Sequence, residues 1–388
     1  MADSARAQVI RRHLEGVIGV PATEGNRITP LRNGDEIFPA MFAAIAEAHH
    51  TIDLLTFVYW EGEIGTRLAE ALSKQARAGV RVRVLLDSFG ARTLDPAAIA
   101  LMADNEVQLR WFRPMKQFRP KDANHRTHRK VMIVDEAIAF TGGVGIADVW
   151  KGNATNENEW RDTHFHIEGP VVDGLRGAFL DNWIETDPVL FTEGIDRFPD
   201  QPQPGEAVAM CIRGSSERGW SDIATMFRTL LEVAQQRVRI TTAYFVPDDE
   251  LTNAFCAATA RGVAVEILIP GPHADKRFVQ VAAEADYAHL LAHGIRIWNF
   301  QPTMLHAKVM TVDGLVASVG SANLNSRSMS LDEETNVVAL DPHLVRELDS
   351  HFDEDLARSI EIEAGRWSER PKRERAYEKL TAPLRRFF

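Results

Sequence analysis

The sequence has little cysteine and no long apolar run, and both absences narrow the class of protein. Among 388 residues, only Cys211 and Cys256 are cysteines, which is too few for a disulfide framework and typical of a reducing compartment. No uncharged apolar segment approaches the ~18 residues that a membrane span needs, and Met1–Val20 lacks the apolar centre of a secretory signal. We therefore expect a protein that is soluble or lies on a membrane.

Positive charge is also scarce, because 55 Asp and Glu residues outnumber 44 Lys and Arg residues. The resulting net charge of -11 gives a poor global field for nucleic acid, whose phosphates need a basic face. A local basic groove is still compatible with this balance, so a nuclease is disfavoured without being excluded. We expect no nucleic-acid partner.

The chain contains the same α/β pattern twice. Segments 54–87 and 240–270 each give an apolar strand, a helix, a Gly-Val step and a second apolar strand, as in parallel strand–helix–strand units. HRKVMIVDEAIAFTGG, starting at His128, matches HAKVMTVDGLVASVGS, starting at His306, and RDTHFHIEGP, starting at Arg161, matches EETNVVALDP, starting at Glu333. Three matches in one order predict an α/β fold of two pseudo-twofold-related lobes.

A segment rich in proline and glycine separates the two copies. Residues 192–207 contain three prolines and two glycines, which is typical of a linker. We therefore predict an N-terminal lobe over residues 1–200 and a C-terminal lobe over residues 201–388 that ends in a basic tail. In a protein made of two copies of one unit, we expect the active site in the crevice between the lobes.

Each copy carries His-x-Lys on a segment rich in Val, Ile and Met, which predicts a strand. Side chains two apart on a strand share a face, so His128 and Lys130 point the same way, as do His306 and Lys308. One imidazole can attack the phosphorus of a phosphodiester and form a phosphohistidine, while the other protonates the leaving alcohol. The two lysines are placed to hold the non-bridging oxygens. The two pairs predict phosphodiester transfer without a metal.

Two pairs of carboxylates accompany these motifs. Asp135 and Asp313 follow the lysines after four residues, at tight turns a strand's length from the histidines. They complete the two catalytic motifs, but we expect them to support structure rather than contact substrate. Asp162 and Glu334 occupy matched positions in the later repeat, and a carboxylate bonded to the far ring nitrogen would fix the tautomer of each histidine. The alternative for this second pair is an ordinary surface charge.

A zinc site is the competing interpretation of the histidines. His125, His128, His164 and His166 form loose pairs in the first half, but no cysteine joins them and the second half lacks the pattern. We therefore predict no metal and no cofactor. The remaining histidines are assigned to structural or surface positions: His49, His50, His273, His289 and His293.

The duplicated His-x-Lys motif, with Asp after four more residues, resembles that of the phospholipase D superfamily over most of the chain. Within it, the sequence is most similar to bacterial cardiolipin synthases without transmembrane helices. The segments that carry this resemblance are Thr141–Gly143, Trp160–His164, Glu168–Pro170, Tyr244–Pro247, Arg261–Val263, Leu305–Lys308, Gly320–Leu324, Arg327–Ser328 and Glu334–Asn336. The resemblance implies a bilobal phospholipase D fold and a phosphatidyltransferase that joins two phosphatidylglycerol-type lipids and releases glycerol through a phosphohistidine.

The resemblance also implies the phosphate ligands. It assigns Asn323 and Ser321 to phosphate, together with Lys130 and Lys308. The first half departs from the family pattern, because Gly145 falls where the second asparagine is expected. That half would hold phosphate with its lysine and backbone donors only, so the site is expected to be asymmetric.

Three classes of function remain open. The first is a phosphatidyltransferase, the second a hydrolase that passes the phosphoryl group to water (a lipid phosphodiesterase, less so a nuclease), and the third an inactive membrane-binding scaffold. The intact His-Lys pairs argue against the third class. By resemblance, His128 is the nucleophile and His306 the general acid, but no residue decides between transferase and lipid hydrolase.

Two terminal segments are candidates for contact with an anionic membrane. Near the N-terminus, one helical stripe is apolar and is expected to pack on the core; it comprises Val9, Ile10, Leu14, Val17 and Ile18. At the other end, residues 366–388 carry eight Lys or Arg and three Glu, which favours docking on anionic lipid. We therefore expect a phospholipid substrate and a peripheral protein at the cytoplasmic face of the cell membrane.

Overall fold

The structure is a computed structural model that describes residues 2–114, 125–186, 198–214, 221–275 and 287–365. In the first half, helices and strands alternate up to Phe112, as the repeat predicts, and two paired strands come next. The elements of this half are α1 (Ala2–Ile18), β1 (Thr23–Arg32), α2 (Asn33–Glu47), β2 (Thr51–Thr56), α3 (Glu63–Arg77), β3 (Arg81–Asp87), α4 (Pro96–Asp104), β4 (Gln108–Phe112), β5 (Val131–Val134), β6 (Ile138–Gly142), a 3-10 turn (Asp148–Trp150), β7 (Thr163–Glu168) and α5 (Val172–Trp183).

The second half repeats this order and adds short strands. Its elements are β8 (Ala207–Gly214), α6 (Asp222–Val233), β9 (Arg237–Thr241), β10 (Phe245–Val246), α7 (Asp249–Ala260), β11 (Ala264–Pro270), β12 (Arg296–Phe300), β13 (Val309–Val312), β14 (Val316–Gly320), β15 (Leu324–Asn325), α8 (Ser326–Ser330), β16 (Glu334–Leu340), α9 (Pro342–Leu356) and β17 (Ser359–Glu361).

One mixed sheet runs through both halves in the order β17-β12-β11-β9-β13-β14-β16-β8-β1-β7-β6-β5-β2-β3-β4. Counted outward from its central pair, the halves have the same order: β1-β7-β6-β5-β2-β3-β4 and β8-β16-β14-β13-β9-β11-β12. The central strands β1 and β8 pair antiparallel, as a twofold relation requires. The predicted duplicated α/β fold is confirmed.

The two lobes share a hydrophobic core under one face of this sheet. Helix α5 of the first lobe contacts β8 of the second, and α9 contacts β1 in return. Phe165 and Ile167 on β7 are fully buried in the same cluster as Val337 and Ala339 on β16. Because packed interiors deform little, this shared core holds the two lobes in a fixed relation beneath the crevice.

Helix α1 requires a correction to the predicted lobe boundary. Ile10 and Leu14 are 1% and 0% exposed and belong to the core of the second lobe, where α1 contacts α6. Arg6 donates a hydrogen bond of 2.7 Å to Asp313. The assignment of residues 1–200 to the first lobe is therefore wrong for this helix, because its apolar stripe finds its partner on the other lobe.

The segments considered for membrane contact are only partly described. Within the described ranges, no helix has both the length and the apolar character needed to cross a bilayer. On α1, the predicted packing on the core holds for Ile10, Leu14 and Ile18, whereas Val9 and Val17 are 40% and 49% exposed. The basic tail, residues 366–388, and the start of the linker, residues 192–197, lie outside the described residues.

Candidate active site

Each motif histidine is tied by its backbone to the other half of the chain. His128 lies just before β5, and its N–H donates to the carbonyl of Glu333 at 2.9 Å. His306 lies just before β13, and its N–H donates to the carbonyl of Arg161 at 2.7 Å. The repeat alignment had matched Arg161 with Glu333, so the two connections are equivalent. They bring the two motifs to one crevice.

The side chains cross between the halves in the same way. His128 Nδ1 lies 3.0 and 3.1 Å from the two carboxylate oxygens of Glu334. His306 Nδ1 lies 2.9 Å from Asp162 Oδ2. A carboxylate only accepts, so each Nδ1 carries a proton and each Nε2 is left as the reactive nitrogen. Both carboxylates were predicted from the sequence as partners of the histidines. That each one bonds the histidine of the other half was not predicted.

Glu334 is fully buried, which excludes the surface-charge alternative for it. Besides His128, it accepts the hydroxyl protons of Ser321 at 2.5 Å and Ser328 at 2.6 Å. Burial alone would raise the pKa of Glu334, but the charge and hydrogen bond of His128 outweigh it, so the pKa is lowered. Because Ser321 gives its proton to this carboxylate, its predicted contact with phosphate stays a prediction.

Asp162 is also fully buried and has donors of a different kind. The indole Nε1 of Trp150 donates to its Oδ2 at 2.9 Å, and the backbone N–H of Thr163 donates to its Oδ1 at 2.8 Å. Burial again opposes ionisation, but the hydrogen bond and charge of His306 leave the pKa of Asp162 lowered. Trp150, which no sequence pattern had marked, is therefore part of the site.

The two motif lysines are buried, each 3% exposed, although they carry charge. Lys130 Nζ donates to the carbonyl of its own His128 at 2.8 Å, and Lys308 Nζ lies 3.0 and 3.2 Å from the ring nitrogens of His306. Burial lowers the pKa of Lys308 to about 7, and the charge of Lys130 adds to the effect. The cations of the two halves therefore lie within electrostatic reach, and an anion between them would relieve their repulsion.

Burial lowers the pKa of both motif histidines, which favours the neutral ring. Burial, followed by the charge of Lys308, lowers the pKa of His306 to about 3. Burial is also the main cause that lowers the pKa of His128, against the opposing charge of Glu334. A neutral imidazole can act as a nucleophile, while a bound phosphodiester anion would favour protonation of the other ring.

Among the described residues, more aromatic rings surround His306 than His128. The ring centroids of Trp160, Trp150 and Tyr244 lie 5.3, 5.4 and 6.4 Å from that of His306. By comparison, His128 contacts the Phe57 ring at 5.3 Å. Such walls limit the access of water to the reacting atoms.

The motif aspartates lie at the turns after β5 and β13, with backbone φ of 50° and 53°. Asp135 accepts three backbone N–H groups at the start of β2, from His49, His50 and Thr51. Asp313 accepts the equivalent three at the start of β9, from Gln235, Gln236 and Arg237. These bonds fasten each motif hairpin to the neighbouring strand, and the described contacts of both aspartates are with the scaffold.

The departure at Gly145 has a steric cause. The β-bridge beside Gly145 matches the β10–β15 pairing beside Asn323, so the two positions are equivalent. A Cβ at Gly145 would lie 2.7 Å from the Cβ of Val58, closer than packed carbon atoms allow. Asn323 is 2% exposed, and its Oδ1 has no hydrogen-bond partner within the described part of the chain.

The histidines considered for zinc are not gathered into one group. His125 Nδ1 contacts the carbonyl of Leu331 at 3.1 Å, while His164 is buried and burial lowers its pKa to about 4. Among the described residues, one group has ligand atoms close enough for a metal, and it lies elsewhere: Cys256, His289 and His293.

A duplicated α/β sheet that joins two His-Lys motifs and two crossed carboxylates defines a phospholipase D-type enzyme. A family model described as "Cardiolipin synthase, PLD-like domain" matches residues 41–159 and 227–356. The chain is 32% identical over 369 residues to the cardiolipin synthase of Geobacillus kaustophilus, covering 94% of this chain and 73% of that protein. Cardiolipin synthase 1 of Bacillus cereus is 32% identical over 391 residues, covering 96% and 76%. The chain belongs to this PLD-like cardiolipin synthase family, as the sequence resemblance predicted.

Solved structures agree on the fold. The phosphatidylserine synthase of Haemophilus influenzae superimposes with a TM-score of 0.77 at 14% identity, covering 98% of this chain and 100% of that one. The polyphosphate kinase of Porphyromonas gingivalis gives a TM-score of 0.59 at 13% identity, covering 92% and 53%. At such low identity, these similarities show the architecture alone.

Proposed function

We propose that this enzyme is a phosphatidyltransferase that forms cardiolipin or a related phospholipid from anionic glycerophospholipids. The observation that carries the proposal is the pair of histidines, each held by a carboxylate of the other half and each beside a buried lysine. The names of the relatives support the lipid substrate. Lys130, Lys308 and Asn323 are the groups we assign to the phosphate oxygens.

The proposed reaction has two displacements at phosphorus. In the first, His128 Nε2 attacks the donor phosphorus, the bond to the headgroup oxygen breaks, and His306 Nε2 gives its proton to the leaving alcohol. In the second, His306 takes the proton of an acceptor hydroxyl, whose oxygen attacks phosphorus and releases His128. Glu334 and Asp162 stabilise the positive charge that each ring carries in turn.

The competing function is hydrolysis, with water as the acceptor in the second displacement. The rings of Trp150, Trp160 and Tyr244 around His306 favour the transferase, because they limit water at the nitrogen that activates the acceptor. Both functions use the same first step, so the product of the second step distinguishes them.

The test is to incubate the purified protein with phosphatidylglycerol in mixed micelles and to resolve the lipid products. We expect cardiolipin and free glycerol in equal amounts, and no turnover by His128→Ala or His306→Ala. Phosphatidate as the sole product would assign hydrolysis instead. Full activity in either histidine variant would contradict the mechanism.

We also infer that the enzyme meets its lipid at an anionic membrane surface on the cytoplasmic side. The basic composition of residues 366–388 supports this inference, since each basic residue near an anionic leaflet contributes about 1 kcal/mol. Deleting Tyr377–Phe388 should weaken binding to anionic liposomes, more so at low salt, and leave turnover of a short-chain soluble phosphodiester nearly unchanged. Unchanged liposome binding would place the anchor elsewhere.

A further inference from the structure

A hydroxyl and a carboxylate lie together beside His306. Tyr244 Oη donates to Asp275, with both carboxylate oxygens 2.8 Å away. The Tyr244 ring stands at 89° to the His306 ring, with the centroids 6.4 Å apart. The charge of Asp275 also acts on Lys308, whose pKa it raises against the larger effect of burial. The pair therefore faces the part of the crevice where His306 exchanges a proton with an alcohol.

The equivalent position beside His128 is apolar. Thr56 Oγ1 donates to the carbonyl of Val58 at 3.1 Å, and Thr242 Oγ1 donates to that of Tyr244 at 3.2 Å. The matched bonds make Val58 the counterpart of Tyr244. With Phe57 next to it, Val58 offers no side-chain group that could bond a hydroxyl. The two sides of the crevice thus present different chemistry to the two substituents of a phosphodiester.

We propose that Asp275 and Tyr244 form a binding site for a polyol, namely the free hydroxyls of a glycerol headgroup that leaves or attacks at His306. A carboxylate has about four lone-pair sites, and the tyrosine hydroxyl uses part of them. Asp275 is exposed to solvent, so an incoming headgroup can reach it. A negative charge there also disfavours an anionic group at the polyol end of the acceptor. This inference rests on the proposed transferase function.

The experiment compares two soluble acceptors, radiolabelled glycerol and radiolabelled 1-propanol, in phosphatidyl transfer from unlabelled phosphatidylglycerol, with the label that enters lipid as the readout. In Asp275→Ala, the KM for glycerol should rise about tenfold or more, as expected for a lost hydrogen bond to a charged group. The KM for 1-propanol should stay within about twofold, because that alcohol has no second hydroxyl. Tyr244→Phe should also raise the KM for glycerol. The charge control is Asp249→Asn, which removes an exposed carboxylate at the start of α7.

An equal change for both alcohols, or no change for either, would overturn the polyol site while leaving the transferase in place. A wild-type enzyme that transfers to neither alcohol and makes only phosphatidate would overturn the transferase, and the polyol site with it. The two failures therefore give different results with the wild type.

A separate observation concerns the surface of the second lobe. Cys256 on α7 lies opposite His289 and His293, which are four residues apart, and one ligand atom of each lies within 4.8 Å of the others. Cys256 Sγ is 3.7 Å from His289 Nε2. His293 Nδ1 contacts the carbonyl of His289 at 2.8 Å, which orients the ring and leaves Nε2 as the nitrogen available to a metal. Histidines at this spacing share one helix face.

We propose that these three side chains bind one divalent ion of the zinc type. A thiolate and two imidazoles are ligands that Zn²⁺ prefers, and a water molecule would complete four-coordination. On binding, the thiol of Cys256 loses its proton to solvent and forms a sulfur–metal bond, while the imidazoles bind through nitrogen lone pairs. The ion would join α7 to the segment that carries the histidines and would stabilise that part of the lobe.

The test uses the full chain and Co²⁺ as a spectroscopic probe, followed by displacement with Zn²⁺. We expect one Co²⁺ per chain with a thiolate-to-metal charge-transfer band, which is lost in Cys256→Ser and retained in Cys211→Ala. His289→Ala should weaken binding about tenfold or more. A band that persists in Cys256→Ser, or affinity unchanged in His289→Ala, would overturn the site.

Discussion

Replacing Asp162 by asparagine should harm folding more than replacing Glu334 by glutamine, although both carboxylates hold a motif histidine. The oxygens of Asp162 accept from Trp150 Nε1 at 2.9 Å and from the Thr163 N–H at 2.8 Å. Neither N–H group can rotate to become an acceptor. The NH2 group of an asparagine would face one of them, and that buried donor would lack an acceptor. The loss should lower the free energy of unfolding by about 1–3 kcal/mol.

The donors to Glu334 are adaptable. Ser321 and Ser328 give it hydroxyl protons, and a hydroxyl can rotate to accept from an amide instead. Ser321 Oγ also has a second acceptor within reach, the carbonyl of Thr335 at 3.4 Å. Glu334→Gln should therefore lower the free energy of unfolding by less than about 1 kcal/mol.

Both substitutions remove the charge that stabilises an imidazolium ring. Turnover should fall about 10²–10⁴-fold in each. Denaturant unfolding would measure the stabilities, and phosphatidyl transfer would measure turnover. Equal destabilisation by Glu334→Gln and Asp162→Asn would contradict the predicted difference between the two sets of donors. Full turnover in either variant would mean that the crossed hydrogen bonds have no part in the reaction.

The pKa of His306 is lowered to about 3 and that of His164 to about 4 in the folded chain. Below pH 6.5, these two histidines therefore bind more protons in the unfolded chain than in the folded chain. At pH 5, each should lower the free energy of unfolding by about 2 kcal/mol relative to pH 7, and a flat denaturation profile over this range would contradict that. Gly145→Ala should destabilise by about 1–3 kcal/mol, whereas Gly16→Ala, with nothing within 4 Å of the added Cβ, should not; equal unfolding midpoints would refute the steric argument. Steady-state kinetics should give the parallel lines of a ping-pong mechanism, with label trapped on His128 under alkaline denaturing conditions; intersecting lines would require both lipids to be bound together.

Much of the site could be predicted because its signals are local or repeated. The His-Lys motifs stand on apolar segments that read as strands, and aligning the two copies was enough to nominate Asp162 and Glu334. The partner of each carboxylate could not be predicted in this way. An alignment matches equivalent positions, whereas the crossing depends on how β1 and β8 pair at the centre of the sheet, far from the motifs in sequence.

Features that occur in one half only have no match in the repeat, so the alignment of the two halves could not identify them. Trp150 lies in a 3-10 turn, and Asp275 in a loop after β11, outside the matched segments. The apolar stripe of α1 predicted burial of Ile10 and Leu14 correctly, but a stripe does not specify which surface covers it. Cys256 and His289 are 33 residues apart, so the fold rather than the sequence brings them into contact.

Fusion of the two half-sites into one chain permits a division of labour between them. In an assembly of two identical subunits, every substitution would occur twice, and both sides of the crevice would change together. Here, Gly145 stands opposite Asn323 in the repeat, and Val58 opposite Tyr244, so each side has diverged separately. One imidazole can therefore be kept for the covalent bond and the other for the proton, while the paired strands beneath them keep the symmetry of the scaffold.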